Sequence, residues 1–194
     1  MLKLYDAPRC PYCARARIAL AEKGIQVETV VVDLDDRPRE IREVNPPDGR
    51  VPVLDHDGFL LPESRPILRY LDELVPEPPL FPGDPRERAL VDFALERFER
   101  DLGGPYYDLY FERPTGSPEA VGHALAALDA RLERSPYVVG ERFTAADIGY
   151  VPWVLRTEGR LGVPLTPYPA LRAWVDRLTE RPSVAAELAV VESL

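Results

Sequence analysis

A proline-dense connector narrows the fold more than any other feature of this chain. The run Pro76-Glu77-Pro78-Pro79-Leu80-Phe81-Pro82-Gly83-Asp84-Pro85 has too few backbone donors to sustain a helix or an inner strand. The text on its two sides also differs in period. Before it, short β-branched runs alternate with stretches of helical spacing; after it, nearly everything is helical. The reading is an α/β domain at 1–75, a linker at 76–85 and an all-α domain at 86–194. A total of 194 residues is ample for one or two compact units.

Within the first part, Lys3-Leu4-Tyr5 predicts a strand. Ala14, Ile18 and Ala21 give helical spacing from Pro11 to Lys23, and Gly24 follows at the usual stop position. Val27–Val32 predicts a second strand, parallel to the first because a helix lies between them. Residues 37–44 predict a short helix. Val51–Leu54 and Phe59–Leu61 flank Asp55-His56-Asp57-Gly58, a hairpin signal. Ile67, Leu68, Leu71 and Leu74 form the stripe of an amphipathic helix over 64–74. The order βαβ, α, ββ, α predicts a thioredoxin-like domain. Helices are expected beyond the linker at 86–102, 120–134, 144–155 and 171–179, with a short terminal piece. Gly103-Gly104-Pro105 should break or kink the first of these.

Charge and cysteine usage restrict the chemistry. A net charge of −9, from 33 acidic and 24 basic residues, disfavours sequence-independent nucleic-acid binding. No apolar run approaches the ~18 residues of a membrane span, and Met1–Asp6 reaches a charge too soon for a signal peptide. The expected location is the cytoplasm. The two cysteines, Cys10 and Cys13, suit redox or metal chemistry better than a structural disulfide in such a compartment. His56 and His123 show no ligand spacing, so no metal is expected. Pro11 suits the first helical position, which puts Cys10 at the cap. There the helix dipole and free N–H groups favour thiolate, making Cys10 the nucleophile. Cys13, one turn in, could resolve a mixed disulfide at Cys10; monothiol and dithiol chemistry both stay open.

The stretch from Cys10 to Ile25, Cys-Pro-Tyr-Cys-Ala-Arg-Ala-Arg-Ile-Ala-Leu-Ala-Glu-Lys-Gly-Ile, resembles the opening of cysteine-type glutathione transferases, particularly the omega class. Its first four residues are the glutaredoxin motif. Arg50-Val51-Pro52-Val53-Leu54 resembles the family's cis-proline strand, and Pro62-Glu63-Ser64-Arg65-Pro66-Ile67-Leu68-Arg69-Tyr70-Leu71 its glutathione-holding turn and helix. Gly140-Glu141-Arg142-Phe143-Thr144-Ala145-Ala146-Asp147-Ile148 resembles the motif that starts a helix in its all-α domain. The resemblance implies glutathione as co-substrate, bound by Pro11, Tyr12, Arg50, Val51, Pro52, Glu63 and Ser64. The Val51 backbone would pair with the extended peptide. Ser64, at a helix N-terminus, would accept a carboxylate, and Glu63 an ammonium. The loop from Asn45 to Arg50 is one residue longer than the family pattern, which leaves the contact of Arg50 open.

Thr144 and Asp147 read as a capping box, with Phe143 and Ile148 as its staple, a folding signal without chemistry. Tyr106, Tyr107, Tyr110 and Phe111 are either core or, as the resemblance implies for Tyr106, Tyr107 and Tyr110, the second-substrate site between domains. Trp153 and Trp174 are expected in packing, Arg113 and Arg156 in solvent. The implied activity is a glutathione-dependent thiol transferase, or a disulfide or dehydroascorbate-type reductase, acting on a small electrophile or disulfide. The resemblance also implies a homodimer. Classical conjugation ranks below it, because Tyr5 reads as a packed strand residue. A second resemblance points elsewhere: Glu63-Ser64-Arg65, Tyr70-Leu71-Asp72-Glu73 and Pro78-Pro79-Leu80 are similar to the stringent starvation protein A group. Those proteins use this fold to bind RNA polymerase and lack the paired cysteines.

Overall fold

A computed structural model describes residues 1–194. The first part runs β1 (Leu2–Asp6), α1 (Pro11–Glu22), β2 (Glu28–Val31), α2 (Arg39–Val44), β3 (Val53–His56), β4 (Phe59–Pro62) and α3 (Ser64–Leu74). The sheet order is β2-β1-β3-β4, with β2 parallel to β1 and the other pairs antiparallel. This is the thioredoxin-like arrangement. Helix α1 ends as expected, with Gly24 at φ 62°, a conformation that glycine adopts without steric cost.

The hairpin differs from the expectation in register. The Val51-Pro52 bond is cis, and Val51 and Pro52 lie outside the ladder, so β3 begins at Val53. His56 pairs with Phe59, which leaves a turn of two residues, Asp57 and Gly58, at φ 51° and 90°. Positive φ at both central positions is what Asp-Gly supplies in a tight hairpin.

The second part is wholly helical: α4 (Pro85–Phe98), a π-helical turn (Glu99–Gly103), α5 (Gly104–Tyr110), α6 (Pro118–Leu132), α7 (Ala145–Leu161), α8 (Pro169–Thr179) and α9 (Pro182–Glu192). Pro11, Pro85, Pro105, Pro118, Pro169 and Pro182 all open helices, where the missing N–H costs nothing. The expected break at Gly103-Gly104 takes the form of the π turn. The Gly104 N–H donates to the Glu99 carbonyl, five residues back, and a Cβ there would sit 2.7 Å from that oxygen. Helix α7 carries Pro152 inside it, as expected, but runs past residue 155 to Leu161, where Gly162 in the left-handed conformation ends it. No helix is long and apolar enough to cross a membrane.

The connector is pinned from α1. The buried Lys23 ammonium meets the Asp72 carboxylate and the Pro78 carbonyl. Asp72 also accepts from the amides of Leu80 and Phe81, at 2.7 and 3.2 Å. A single apolar cluster then runs from Leu4 to Val184 through both parts. Trp153 and Trp174 are fully buried in it. The capping box forms: Asp147 accepts from the amides of Thr144 and Val138 and from the Trp174 indole, each at 2.9 Å. Phe143 and Ile148 are both buried beside it.

Candidate active site

Cys10 is the N-cap of α1 in extended backbone (φ −85°, ψ 116°), partly exposed, while Cys13 is fully buried. No amide closes a full capping hydrogen bond onto the Cys10 sulfur. The thiol is nevertheless acidic, drawn from 9.0 to about 7. Hydrogen bonding from the Cys13 thiol contributes most, and the Cys13 and Tyr12 amides and the Arg17 charge add to it against burial. Burial, reinforced by the negative charge developing on Cys10, pushes Cys13 the other way. The two sulfurs are thus divided into an acidic thiol and a protonated partner.

Across the cleft, the cis Val51-Pro52 bond turns the Val51 carbonyl toward Cys10, with Sγ to oxygen at 3.8 Å. The Val51 N–H makes no backbone hydrogen bond. One amide and one carbonyl beside the thiol are what an added extended strand requires. Cys10, Tyr12, Arg50 and Val51 share a cavity of about 490 Å³ whose rim carries Arg37, Asp48 and Glu99. Arg50 stands on that rim, exposed and paired with Asp48 at 3.2 Å.

Glu63 and Ser64 line a neighbouring cavity of about 510 Å³, together with Tyr12, Arg15 and Arg65. Tyr12 and Glu99 belong to both cavities, and the Tyr12 hydroxyl donates to Glu99 Oε1 at 2.5 Å, so this pair forms the partition. The cap of α3 is Glu63, not Ser64, and Glu63 holds φ 72° without a capping bond. A non-glycine residue at positive φ is strained, and such residues cluster at binding sites. Asn45 Nδ2 donates to Glu63 Oε1 at 3.0 Å and steadies it. Pro52 is buried behind the Val51 backbone, and Pro11 belongs to the aromatic cavity described next, not to the peptide side.

Sequence reasoning missed Arg15. Its side chain is 1% exposed, sandwiched by the rings of Phe98 and Trp153 at 4.3 and 4.5 Å. It donates to the Gly149 carbonyl at 2.7 and 3.1 Å and to Ser64 Oγ at 3.3 Å. No carboxylate bonds it, and burial lowers it to about 10. A buried guanidinium without an anion, placed behind a helix N-terminus, favours a carboxylate at that terminus. Ala14, Ala16 and Ala19 are buried beside Arg15 on α1, and no residue near it in the sequence marks it as buried.

Tyr106, Tyr107, Tyr110 and Phe111 line a third cavity of about 370 Å³ that also reaches Cys10. Tyr106 and Tyr110 stack with centroids 6.2 Å apart, and Tyr107 and Phe111 at 5.7 Å. Cys10 therefore opens onto a peptide-facing cavity on one side and an aromatic one on the other. Arg113 is exposed, as expected, but Arg156 is not: it is 2% exposed and bonds Glu187 at 2.7 Å. Glu187 also holds Arg17, which bonds Asp6. This network lies beneath the Pro8 turn before Cys10, where Arg17 and Arg156 both donate to the Pro8 carbonyl. No group of three or more His, Cys, Asp or Glu side chains gathers as a metal site.

Known proteins share this architecture. Residues 4–79 match the glutathione S-transferase N-terminal domain and residues 118–177 the glutathione S-transferase C-terminal domain. Glutathione S-transferase U22 of Arabidopsis thaliana is 32% identical, over 95% of this chain and 88% of its own. The stringent starvation protein A homolog of Haemophilus influenzae is 33% identical, over 89% and 82%. Among solved structures, a diazinon-metabolizing glutathione S-transferase of the silkworm Bombyx mori superposes with a TM-score of 0.88. It is 26% identical, with 98% of this chain and 97% of that one covered. The likeness in sequence, in both domains and over nearly the whole length places this chain in the glutathione S-transferase superfamily.

Proposed function

We propose that the protein is a glutathione-dependent thiol transferase in which Cys10 is the nucleophile. The observation that carries this reading is the acidic Cys10 thiol, at about 7, at the junction of a peptide-facing and an aromatic cavity. The donor and acceptor groups around it fit glutathione. The Val51 N–H and carbonyl can pair with its cysteinyl backbone. The N-terminus of α3, with Ser64 and the Arg15 charge behind it, takes the γ-glutamyl carboxylate, and the Glu63 carboxylate takes the ammonium.

Cys10 thiolate attacks one sulfur of a mixed disulfide, forming a Cys10–S–S bond and releasing the other sulfur as thiolate. A thiolate then attacks the bridging sulfur attached to Cys10, and Cys10 leaves as thiolate again. That thiolate is glutathione's in a monothiol cycle; in a dithiol cycle the Cys13 thiolate instead attacks the Cys10 sulfur, expelling the bound thiol and leaving a Cys10–Cys13 disulfide that two glutathione molecules then reduce. Cys13 is protonated and fully buried, so the monothiol cycle carries turnover. The test is glutathione-dependent reduction of a glutathione mixed disulfide by wild type, Cys10→Ser and Cys13→Ser. Turnover should vanish in the first variant and persist in the second. Undiminished turnover in Cys10→Ser would overturn the mechanism.

The likeness to stringent starvation protein A homologs supports a second reading, a non-catalytic binding protein of the same fold. It leaves the paired cysteines without a purpose. Recovery of RNA polymerase on the immobilised protein, together with a chemically silent Cys10, would favour it.

A further inference from the structure

The aromatic cavity has a charge imbalance that the nucleophile reading does not use. Its wall contains three cations, Arg9, Arg156 and Arg160, and no carboxylate. The peptide-facing cavity, by contrast, sets Asp48 and Glu99 against its three arginines, Arg37, Arg50 and Arg113. Two of the three cations are neutralised from outside the cavity: Arg9 by Asp35 at 2.9 Å and Arg156 by Glu187 at 2.7 Å. Arg160, in the last turn of α7, forms no ion pair. On a chain of net charge −9, an unpaired cation beside a concave apolar wall is conspicuous.

The wall itself suits a flat ring. The two stacked pairs, Tyr106 with Tyr110 and Tyr107 with Phe111, lie at interplanar angles of 16° and 15°. Neighbouring rings of the two pairs meet edge to face, Tyr110 on Phe111 at 5.0 Å. Aromatic guests gain from both geometries. Tyr106 is 3% exposed, and burial raises its hydroxyl to about 12 while Arg156 and Arg160 pull it back. The field of both arginines therefore reaches the floor of the cavity. The Tyr106, Tyr107 and Tyr110 hydroxyls donate to no protein group, so they remain available to an acceptor. A volume of about 370 Å³ is at the small end for ligand pockets and accommodates one substituted ring.

We infer that the second substrate of this protein is an anionic aromatic compound, a ring bearing a carboxylate or a similar oxyanion, whose charge is met by Arg160 while its sulfur or electrophilic centre faces Cys10. This rests on the proposal that Cys10 is the nucleophile. With an aromatic disulfide, Cys10 thiolate attacks one sulfur, the aryl group on that sulfur becomes linked to Cys10, and the other half departs as an aryl thiolate.

Two reagents separate the inference from the reading beneath it. The aromatic disulfide 5,5′-dithiobis(2-nitrobenzoate) carries a carboxylate on each ring, and 4,4′-dithiodipyridine is neutral. Second-order rates of Cys10 with each, divided by those of the uncharged thiol 2-mercaptoethanol, give an anionic-to-neutral preference freed of the reagents' intrinsic reactivity. Wild type should show a preference above one, and Arg160→Gln should lower it by about fivefold, the scale of a partly solvated charge pair. Added salt should lower it in wild type and leave it flat in the variant. An equal preference in wild type and Arg160→Gln, or a wild-type preference of one or less, overturns the inference while Cys10 reactivity stands. If Cys10 reacts with neither reagent, the nucleophile reading fails and the inference fails with it.

Discussion

Replacing Arg15 with methionine should separate stability from ligand binding. The guanidinium is 1% exposed, and burial lowers it from 12.5 to about 10. At about 1.4 kcal/mol per pH unit, holding that charge inside the fold costs about 3 kcal/mol. Methionine keeps a flexible apolar chain between the Phe98 and Trp153 rings and removes the cost. It forfeits the bonds to Gly149 and Ser64 and the cation–π contacts, together about 2–4 kcal/mol. The Gly149 carbonyl lies within α7 and keeps access to the helical ladder. These opposing terms nearly cancel, so Arg15→Met should unfold within about 1–2 kcal/mol of wild type. Glutathione, in contrast, loses the cation behind its carboxylate site, and its affinity should fall about tenfold or more. Urea unfolding followed by fluorescence of the buried Trp153 and Trp174 reads the first quantity, and calorimetric titration with glutathione the second. A loss of more than about 3 kcal/mol of stability with unchanged affinity would show that Arg15 is a structural residue and refute the reasoning.

Other perturbations test neighbouring parts of the account. Cys13→Ala removes the main group that acidifies Cys10, so the Cys10 pKa should rise; a rise of about one unit lowers its reactivity at pH 7 by about fivefold, measured by iodoacetamide labelling. Because Cys10 is an acid with its folded pKa lowered, its ionisation stabilises the fold fully above about pH 9 and progressively less as pH falls through 7. The stability gap between wild type and Cys10→Ser should therefore widen by about 2 kcal/mol from pH 6 to pH 9, and a gap that narrows would contradict the assignment. Asp147→Ala leaves the Val138 and Thr144 amides and the Trp174 indole without their acceptor, and should cost about 3–5 kcal/mol in urea unfolding while sparing the Cys10 pKa. Gly104→Ala forces a Cβ to 2.7 Å from the Glu99 carbonyl, and should cost about 1–3 kcal/mol.

What the sequence disclosed was local. The connector, the Gly24 stop, the Asp57-Gly58 turn and the Thr144–Asp147 box each declare themselves within a few residues, because the backbone conformation and its satisfying side chain are sequence neighbours. The Cys10–Cys13 pair was legible for the same reason, as two thiols one turn apart at the start of α1. Features that depend on distant partners were hidden. Arg15 is held by Gly149, 134 residues away, and nothing near Arg15 announces a cage of Phe98 and Trp153. Arg156 reads as a solvated cation until Glu187 arrives from α9. Ser64 reads as lying at the N-terminus of α3, but the cap itself is Glu63, whose positive φ no propensity scale favours. At Gly103-Gly104 the break was legible but its form was not, since no local signal distinguishes a broken helix from the bond of the Gly104 N–H to the Glu99 carbonyl that makes the π turn.

The central claim is that Cys10 is an activated thiol whose acidity comes from its place at the start of α1 above a protonated Cys13. The pH dependence of Cys10 alkylation by iodoacetamide, with and without glutathione, tests it most directly. The midpoint should lie near 7, and labelling should slow when glutathione is present. A midpoint at the ordinary thiol value of about 8.5, with no protection by glutathione, would contradict it.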